Sequence, residues 1–217
     1  MQYGHALDRI LREILLANPS LGPVHLQKFD LSDDYYRMDV AISGIPKLGV
    51  VFPRLPGFEP LVAFPLVLPM GWKKSPPIFC TTTETIADLA NNSLKINATV
   101  PDHHLSLLVS TLDDINLQLM PAHERTLSNA LFALKERDPF LPFPTKPLSY
   151  IDVFVNDLIG LAQPPSCQKT RNVLMHSIDK VFRPLHKDDH GFRQEPVSMK
   201  KLKKGDCFWT TKQIILG

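Results

Sequence analysis

Leu68-Pro69-Met70-Gly71-Trp72-Lys73-Lys74-Ser75-Pro76-Pro77-Ile78-Phe79 is the stretch on which the reading of the fold turns. Ser75 is an N-cap candidate, and Pro76 and Pro77 are tolerated in a first helical turn, where the amides lack partners anyway. A helix is predicted from here to about Asn91, with Phe79, Ile86, Leu89 and Ala90 facing inward. Upstream, three short apolar runs at 48–52, 61–64 and 66–68 are separated by proline and glycine. They predict a β-hairpin or a three-stranded meander of an antiparallel sheet.

Working outward, residues 150–162 (YIDVFVNDLIGLA) place two apolar runs around Asn156-Asp157, a strand-turn-strand signal. Residues 24–40 predict a strand that runs into an acidic turn. Residues 5–17 set Leu7, Ile10, Leu11, Ile14 and Leu15 on one helical face, and Asn18-Pro19 and Gly22-Pro23 stop that helix. A further helix is predicted over 171–183 through Val173, Leu174, Ile178 and Val181. Residues 197–216 predict a strand, a Gly205-Asp206 turn and a second strand ending in Ile214-Ile215-Leu216. Between 93 and 149 the character changes to one helical pattern at 124–137 and a cluster of Pro139, Pro142, Pro144 and Pro147. This segment is predicted to be an insertion or tether outside the core, partly disordered. The expectation is an α+β chain in three parts, 1–92, 93–149 and 150–217.

Three further stretches carry chemistry. Phe29-Asp30-Leu31-Ser32-Asp33-Asp34-Tyr35-Tyr36-Arg37 sets an aromatic residue five positions after a strand-end aspartate. Phe154-Val155-Asn156-Asp157 lies at the hairpin tip, and Ile215-Leu216-Gly217 closes the last predicted strand. In this order and on these elements, the chain resembles the palm region of retroviral and gypsy-like retroelement reverse transcriptases. Residues 68–79 resemble that family's LPxGWxxSPxxF motif, 29–37 its first motif, 154–157 its aromatic-x-Asp-Asp turn, and 215–217 the hydrophobic-Leu-Gly where the primer grip begins. The resemblance runs from about residue 5 to the last residue, apart from 93–149.

The resemblance implies a polymerase palm-type antiparallel sheet with helices packed on one face, and RNA-directed DNA polymerisation. That reaction is phosphoryl transfer, in which two divalent ions roughly 3.5–4 Å apart stabilise the attacking and leaving oxygens. Such hard cations take oxygen ligands, so carboxylates from separate strands must converge. By resemblance, Asp30 and Asp157 would hold Mg²⁺, with the Leu31 carbonyl as a further ligand beside the nucleotide. Tyr35 would be the sugar-facing gate, Met70 and Gly71 would line the nucleotide pocket, and Ser75 would open the helix beneath it. Arg37, Lys73, Lys74, Lys200, Lys201, Lys203 and Lys204 would meet nucleic acid, and one of the last four would assist the leaving group. The implied partners are an RNA or DNA primer-template and a deoxynucleoside triphosphate.

Asn156 stands where the family has the first aspartate of its hairpin pair. An amide oxygen brings no charge, so two ions would be held by two carboxylates alone. Metal electrostatics supply the largest part of such a rate, so catalysis is expected to fall by several orders of magnitude and Mg²⁺ binding to be weak or absent. Only 29 residues precede Asp30, where the family has fingers, and the chain ends at Gly217, where a thumb would follow. Asp34 replaces the small residue expected before the gate aromatic. The expectation is an impaired pseudoenzyme of retrotransposon type, truncated at both ends. The alternatives are a non-enzymatic nucleic-acid-binding or interaction module, an active polymerase read from an incomplete chain, and a relic with no selected partner.

Bulk properties set the outer bounds. Apolar residues make up 44% and charged residues 21%, which suits a chain that buries a core. Twenty prolines in 217 residues, roughly 9% against a usual share of about 5%, predict many turns. The net charge of +2 decides nothing, but 193–212 holds six basic residues against two acids. That excess suits a phosphate backbone or a solvated hairpin face. Cys80, Cys167 and Cys207 are widely spaced and suggest neither a disulfide framework nor a zinc site. His103-His104 reads as a pair of solvated loop histidines. Asp8, Arg9, Arg12 and Glu13 interrupt what would be a signal peptide, and no run reaches the ~20 apolar residues of a membrane span. A soluble intracellular protein, cytoplasmic or nuclear and without membrane contact, is expected.

Overall fold

The computed structural model describes residues 5–109, 142–205 and 207–212. In chain order the elements are α1 (Ala6–Leu16), β1 (His25–Asp30), β2 (Val50–Val51), β3 (Val62–Ala63), α2 (Ser75–Lys95), β4 (Ser149–Phe154), β5 (Asp157–Ala162), α3 (Cys167–Phe182) and α4 (Met199–Lys204). The fold is α+β. The chain divides into two compact units, Met1–Ser32 with Cys80–Gly217, and Asp33–Phe79, so its boundaries differ from the sequence partition at 92 and 149.

The first unit is built on a three-stranded antiparallel sheet of order β1-β5-β4. β5 is the central strand and is buried along nearly its whole length, as a strand covered on both faces must be. Because side chains alternate across a strand, Ile159 and Leu161 point to one face and Gly160 to the other. On the first face Ile159 and Leu161 close on Ile10 of α1, with Ile14, Val24, Tyr150 and Phe154 around them. On the second face Gly160 lies opposite Gln27, whose side chain would sit 2.9 Å from any added Cβ. Arg171 of α3 donates to that Gln27 Oε1 at 3.3 Å and stands 5.8 Å from the Trp209 ring. Burial pulls the Arg171 guanidinium down to about 10. Helices therefore cover both faces, and the expectation of helices on one face is corrected: a central strand this apolar needs cover on each side.

Both edges of the sheet are partly covered by backbone and side-chain partners. Asn91 of α2 donates to the Ile151 carbonyl of β4 (2.7 Å) and accepts from the Ile151 N–H (3.0 Å). On the other edge, Leu26 of β1 exchanges backbone bonds with Thr210, and the Ser198 N–H donates to the Asp30 carbonyl at 2.9 Å. Edge strands left open are templates for unwanted pairing.

Several expectations are corrected. The strand predicted from 197 is the helix α4, because Met-Lys-Lys-Leu-Lys-Lys holds only good helix formers. Gly205 is its C-cap at φ 87°, not the centre of a hairpin turn. Residues 93–109 are not an appendage outside the core: His103, Leu105, Ser106 and Val109 are buried. Asn172 of α3 donates to Asp102 Oδ1 (2.7 Å) and accepts from the Ser106 hydroxyl (2.6 Å). The helix predicted at 124–137, Pro139, Asp206, and the strand and motif at 214–217 lie outside the described residues. In α1, Ile10 is buried while Leu7 and Leu11 are exposed, so the predicted apolar face is only partly used. α2 continues to Lys95, with Phe79, Ile86 and Ala90 buried but Leu89 exposed.

The second unit holds β2 and β3, paired antiparallel with Val50 opposite Ala63. The predicted meander shrinks to these two-residue strands and one bridge between Asp39 and Val67. Pro53, Pro56, Pro60 and Pro65 account for this, since each removes a ladder donor.

Candidate functional site

Asp30 is the last residue of β1, and Asp157 is the first of β5. In the antiparallel register they stand directly opposite each other. The hairpin pairs Phe154 with Asp157, so its two-residue loop is Val155-Asn156 and Asp157 belongs to the strand. The positive φ falls on Val155 (58°), not on the asparagine that tolerates it better. Thr83 of α2 pins this strained residue by donating to the Val155 carbonyl at 2.8 Å.

Around the two acids stand side chains of opposite charge. Lys28 Nζ donates to Asp157 Oδ2 at 3.0 Å. Lys201 Nζ lies 2.7 Å from Asp30 Oδ1, and the Asn156 amide nitrogen donates to the same oxygen at 3.4 Å. Asp30, Asp157 and Lys28 are largely buried, with side chains 11%, 14% and 18% exposed, whereas Lys201 is 43% exposed. Two carboxylates against two ammonium groups leave a net charge of zero.

The local sequence explains the arrangement. Lys28 and Asp30 are two positions apart on one strand and so share a face. The Ser198 N–H that binds the Asp30 carbonyl also starts α4, which sets Lys201 beside the Asp30 carboxylate. Of the four lysines left open by the sequence, Lys201 is the one in contact with Asp30, and Lys200, Lys203 and Lys204 are exposed. Lys28 is the participant that sequence reading missed. Its signal was the alternation Leu26, Lys28, Asp30, which placed a cation on the acid's own face.

A pair of magnesium ions needs several oxygen ligands and an excess of negative charge. Each carboxylate here already holds an ammonium, and Asn156 turns its nitrogen rather than its oxygen to Asp30. As arranged, these side chains do not fit a two-metal centre. An incoming divalent ion would meet a neutral cluster and would have to displace a lysine.

The remaining predicted residues are distributed as follows. Leu31 is buried and bridged to Val197. In the second unit, Tyr35 lies edge-on to Phe79 with ring centroids 4.9 Å apart. Arg37 pairs with Asp33 at 3.7 Å. Met70, Lys73 and Lys74 are exposed, and Gly71 turns the chain at φ 88°. Ser75 is buried and its hydroxyl donates to the Pro69 carbonyl at 2.7 Å, which ties the turn at 69–75 to the helix start. Among the described residues no helix is long and apolar enough to cross a membrane. No family model matches the chain, and no curated protein matches it.

Proposed function

We propose that the chain is a catalytically silent reverse-transcriptase-like palm of the retroelement type its motifs resemble. The observation that supports this reading is the direct opposition of Asp30 and Asp157 on neighbouring strands, with Asn156 at the tip between them and a lysine on each acid. Convergence of two acids at that place is what a palm requires. The two ammonium groups then do the neutralising that divalent ions do in an active enzyme. An ammonium does not activate a primer hydroxyl as a metal-bound oxygen is activated, nor does it bridge the attacking and leaving groups. The fold is retained in this reading, and the chemistry is not.

Primer extension by the full chain, with Mg²⁺ or Mn²⁺ and all four deoxynucleotides, tests it. No product above background is expected from the natural sequence, and none from Asn156→Asp alone, because Lys28 and Lys201 still hold the acids. Robust extension by the natural sequence would refute the silent reading.

The exposed Lys200, Lys203 and Lys204 favour one addition, a retained nucleic-acid-binding surface on α4. Binding to a labelled primer-template should weaken as salt rises. Replacing these three lysines with glutamate should flatten the dependence by roughly 0.9 in log-log slope for each phosphate that is no longer neutralised. An unchanged slope would remove this surface from the proposal.

A further inference from the structure

The expectation of solvated loop histidines fails at His103. Its side chain is only 1% exposed, and its Nε2 lies 2.8 Å from Asp179 Oδ2 of α3. By itself this is a satisfied buried pair. Its neighbours add to it. The His104 ring lies 4.2 Å from the His103 ring and that of His176 4.9 Å, so three imidazoles gather at one place. One donor atom each from His103, His104 and Asp179 lie within 4.8 Å of one another.

We propose that His103, His104 and Asp179 bind a zinc-like divalent transition-metal ion that ties the segment following α2 to α3. The donor set decides the class of ion. Imidazole nitrogens suit zinc, copper, nickel and iron, and they suit magnesium or calcium poorly. Two imidazoles and one carboxylate leave a fourth position for water, the pattern of three-ligand zinc sites. Ligand bonds of about 2.0–2.2 Å in a tetrahedron set donors roughly 3.4 Å apart. His103 and Asp179 must therefore part slightly, and His104, which is 49% exposed, has room to swing inward.

The frame around the site is held before any ion arrives. His176 Nε2 donates to the Pro101 carbonyl at 3.0 Å, and Asn172 links Asp102 to Ser106 on either side of the histidines. Such outer bonds orient metal-binding rings. One of them must yield. The Leu105 N–H donates to His103 Nδ1 at 3.2 Å, which places the ring proton on Nε2, toward Asp179. Coordination through Nε2 moves that proton to Nδ1 and breaks the Leu105 bond, the longer of the two that His103 makes. Glu195, 3.4 Å from His104 Nε2, is a second carboxylate at the rim.

The test uses the full chain, stripped with a chelator and titrated with Zn²⁺ against a chromogenic competitor. Co²⁺ replaces Zn²⁺ for visible absorption. One equivalent should bind, with intense Co²⁺ bands of low coordination number and a higher Tm in the presence of Zn²⁺. His104→Ala, at an exposed position and with folding checked by circular dichroism, should weaken Zn²⁺ at least about tenfold and change the Co²⁺ spectrum. Asp179→Asn, which can still accept from His103, should also weaken the ion. Absence of stoichiometric binding, or His104→Ala with unaltered affinity and spectrum, would overturn the site and leave His103–Asp179 as a structural hydrogen bond only.

Discussion

Two aspartates of one hairpin, Asp152 in β4 and Asp157 in β5, both hold a basic partner, yet they are held differently. Asp152 has a side chain only 2% exposed, and Arg9 grips it with two bonds, Nε at 2.8 Å and a terminal nitrogen at 2.5 Å. Tyr150 adds its hydroxyl at 3.0 Å, and the Val153 N–H adds a fourth bond at 2.8 Å. The Arg9 guanidinium is raised above its usual range, foremost by the hydrogen bond to Asp152, and burial pushes the Tyr150 hydroxyl up. Asp157 has one lysine on one oxygen. A bidentate planar fork fixes geometry, whereas an ammonium on a flexible stem exchanges. The first arrangement clamps α1 to the sheet. The second sets a lysine ammonium against each of two opposed acids, so their charges are compensated one for one.

The largest expected effect breaks the clamp. Arg9→Ala leaves a buried carboxylate with only Tyr150 and the Val153 N–H. It should cost about 2–3 kcal/mol, below the 3–5 of a fully enclosed pair because Arg9 is a quarter exposed to solvent. Urea denaturation measures it. A loss under about 0.5 kcal/mol, the range of an ordinary surface site, would mean that apolar contacts of Ile10 alone hold α1.

A smaller effect sharpens the other side. Asn156→Asp sets three carboxylates against two ammonium groups, leaving one uncompensated negative charge. At an effective dielectric of about 20 with Lys201 close by, the cost should be about 1–2 kcal/mol in metal-free buffer. The informative reading is the change with Mg²⁺. The variant should gain Tm with Mg²⁺, and the natural sequence should not. Equal responses would show that Asn156 does not set the affinity of the cluster for divalent ions. Lys201→Ala should cost less than about 1 kcal/mol, since that lysine is nearly half exposed.

The same contrast shows what was legible in the sequence. The hairpin at 150–162 was plain from its two apolar runs, and it carried Asp157 to the right strand end. The opposition of Asp30 and Asp157 rests on β1 pairing with β5 across more than a hundred residues, which local pattern does not encode. Lys28 was visible only as an alternation whose significance depended on that pairing. The segment 93–109 reads as a tether because its helical parts, the end of α2 and residues 106–109, are short pieces at its two ends, and the burial between them comes through His103 and Leu105. α4 stands where a strand is expected because six residues are too few to show a helical period, and Gly205, which reads as a hairpin turn, is its C-cap.

The smallest effect concerns the tip. Val155 holds φ 58°, a region in which a side chain of this shape is strained by roughly 1–2 kcal/mol. Glycine relieves that strain but loses more backbone freedom on folding, at a cost of about 0.5–1 kcal/mol. Val155→Gly should therefore stabilise the first unit by about 0.5 kcal/mol, read as a rise in the urea midpoint with unchanged slope. The Thr83 bond to the Val155 carbonyl survives, since it uses only backbone at this position. If the variant is instead less stable, the half-buried valine side chain contributes more packing than its backbone loses in strain. The tip would then be a structural fixture held by its half-buried side chain.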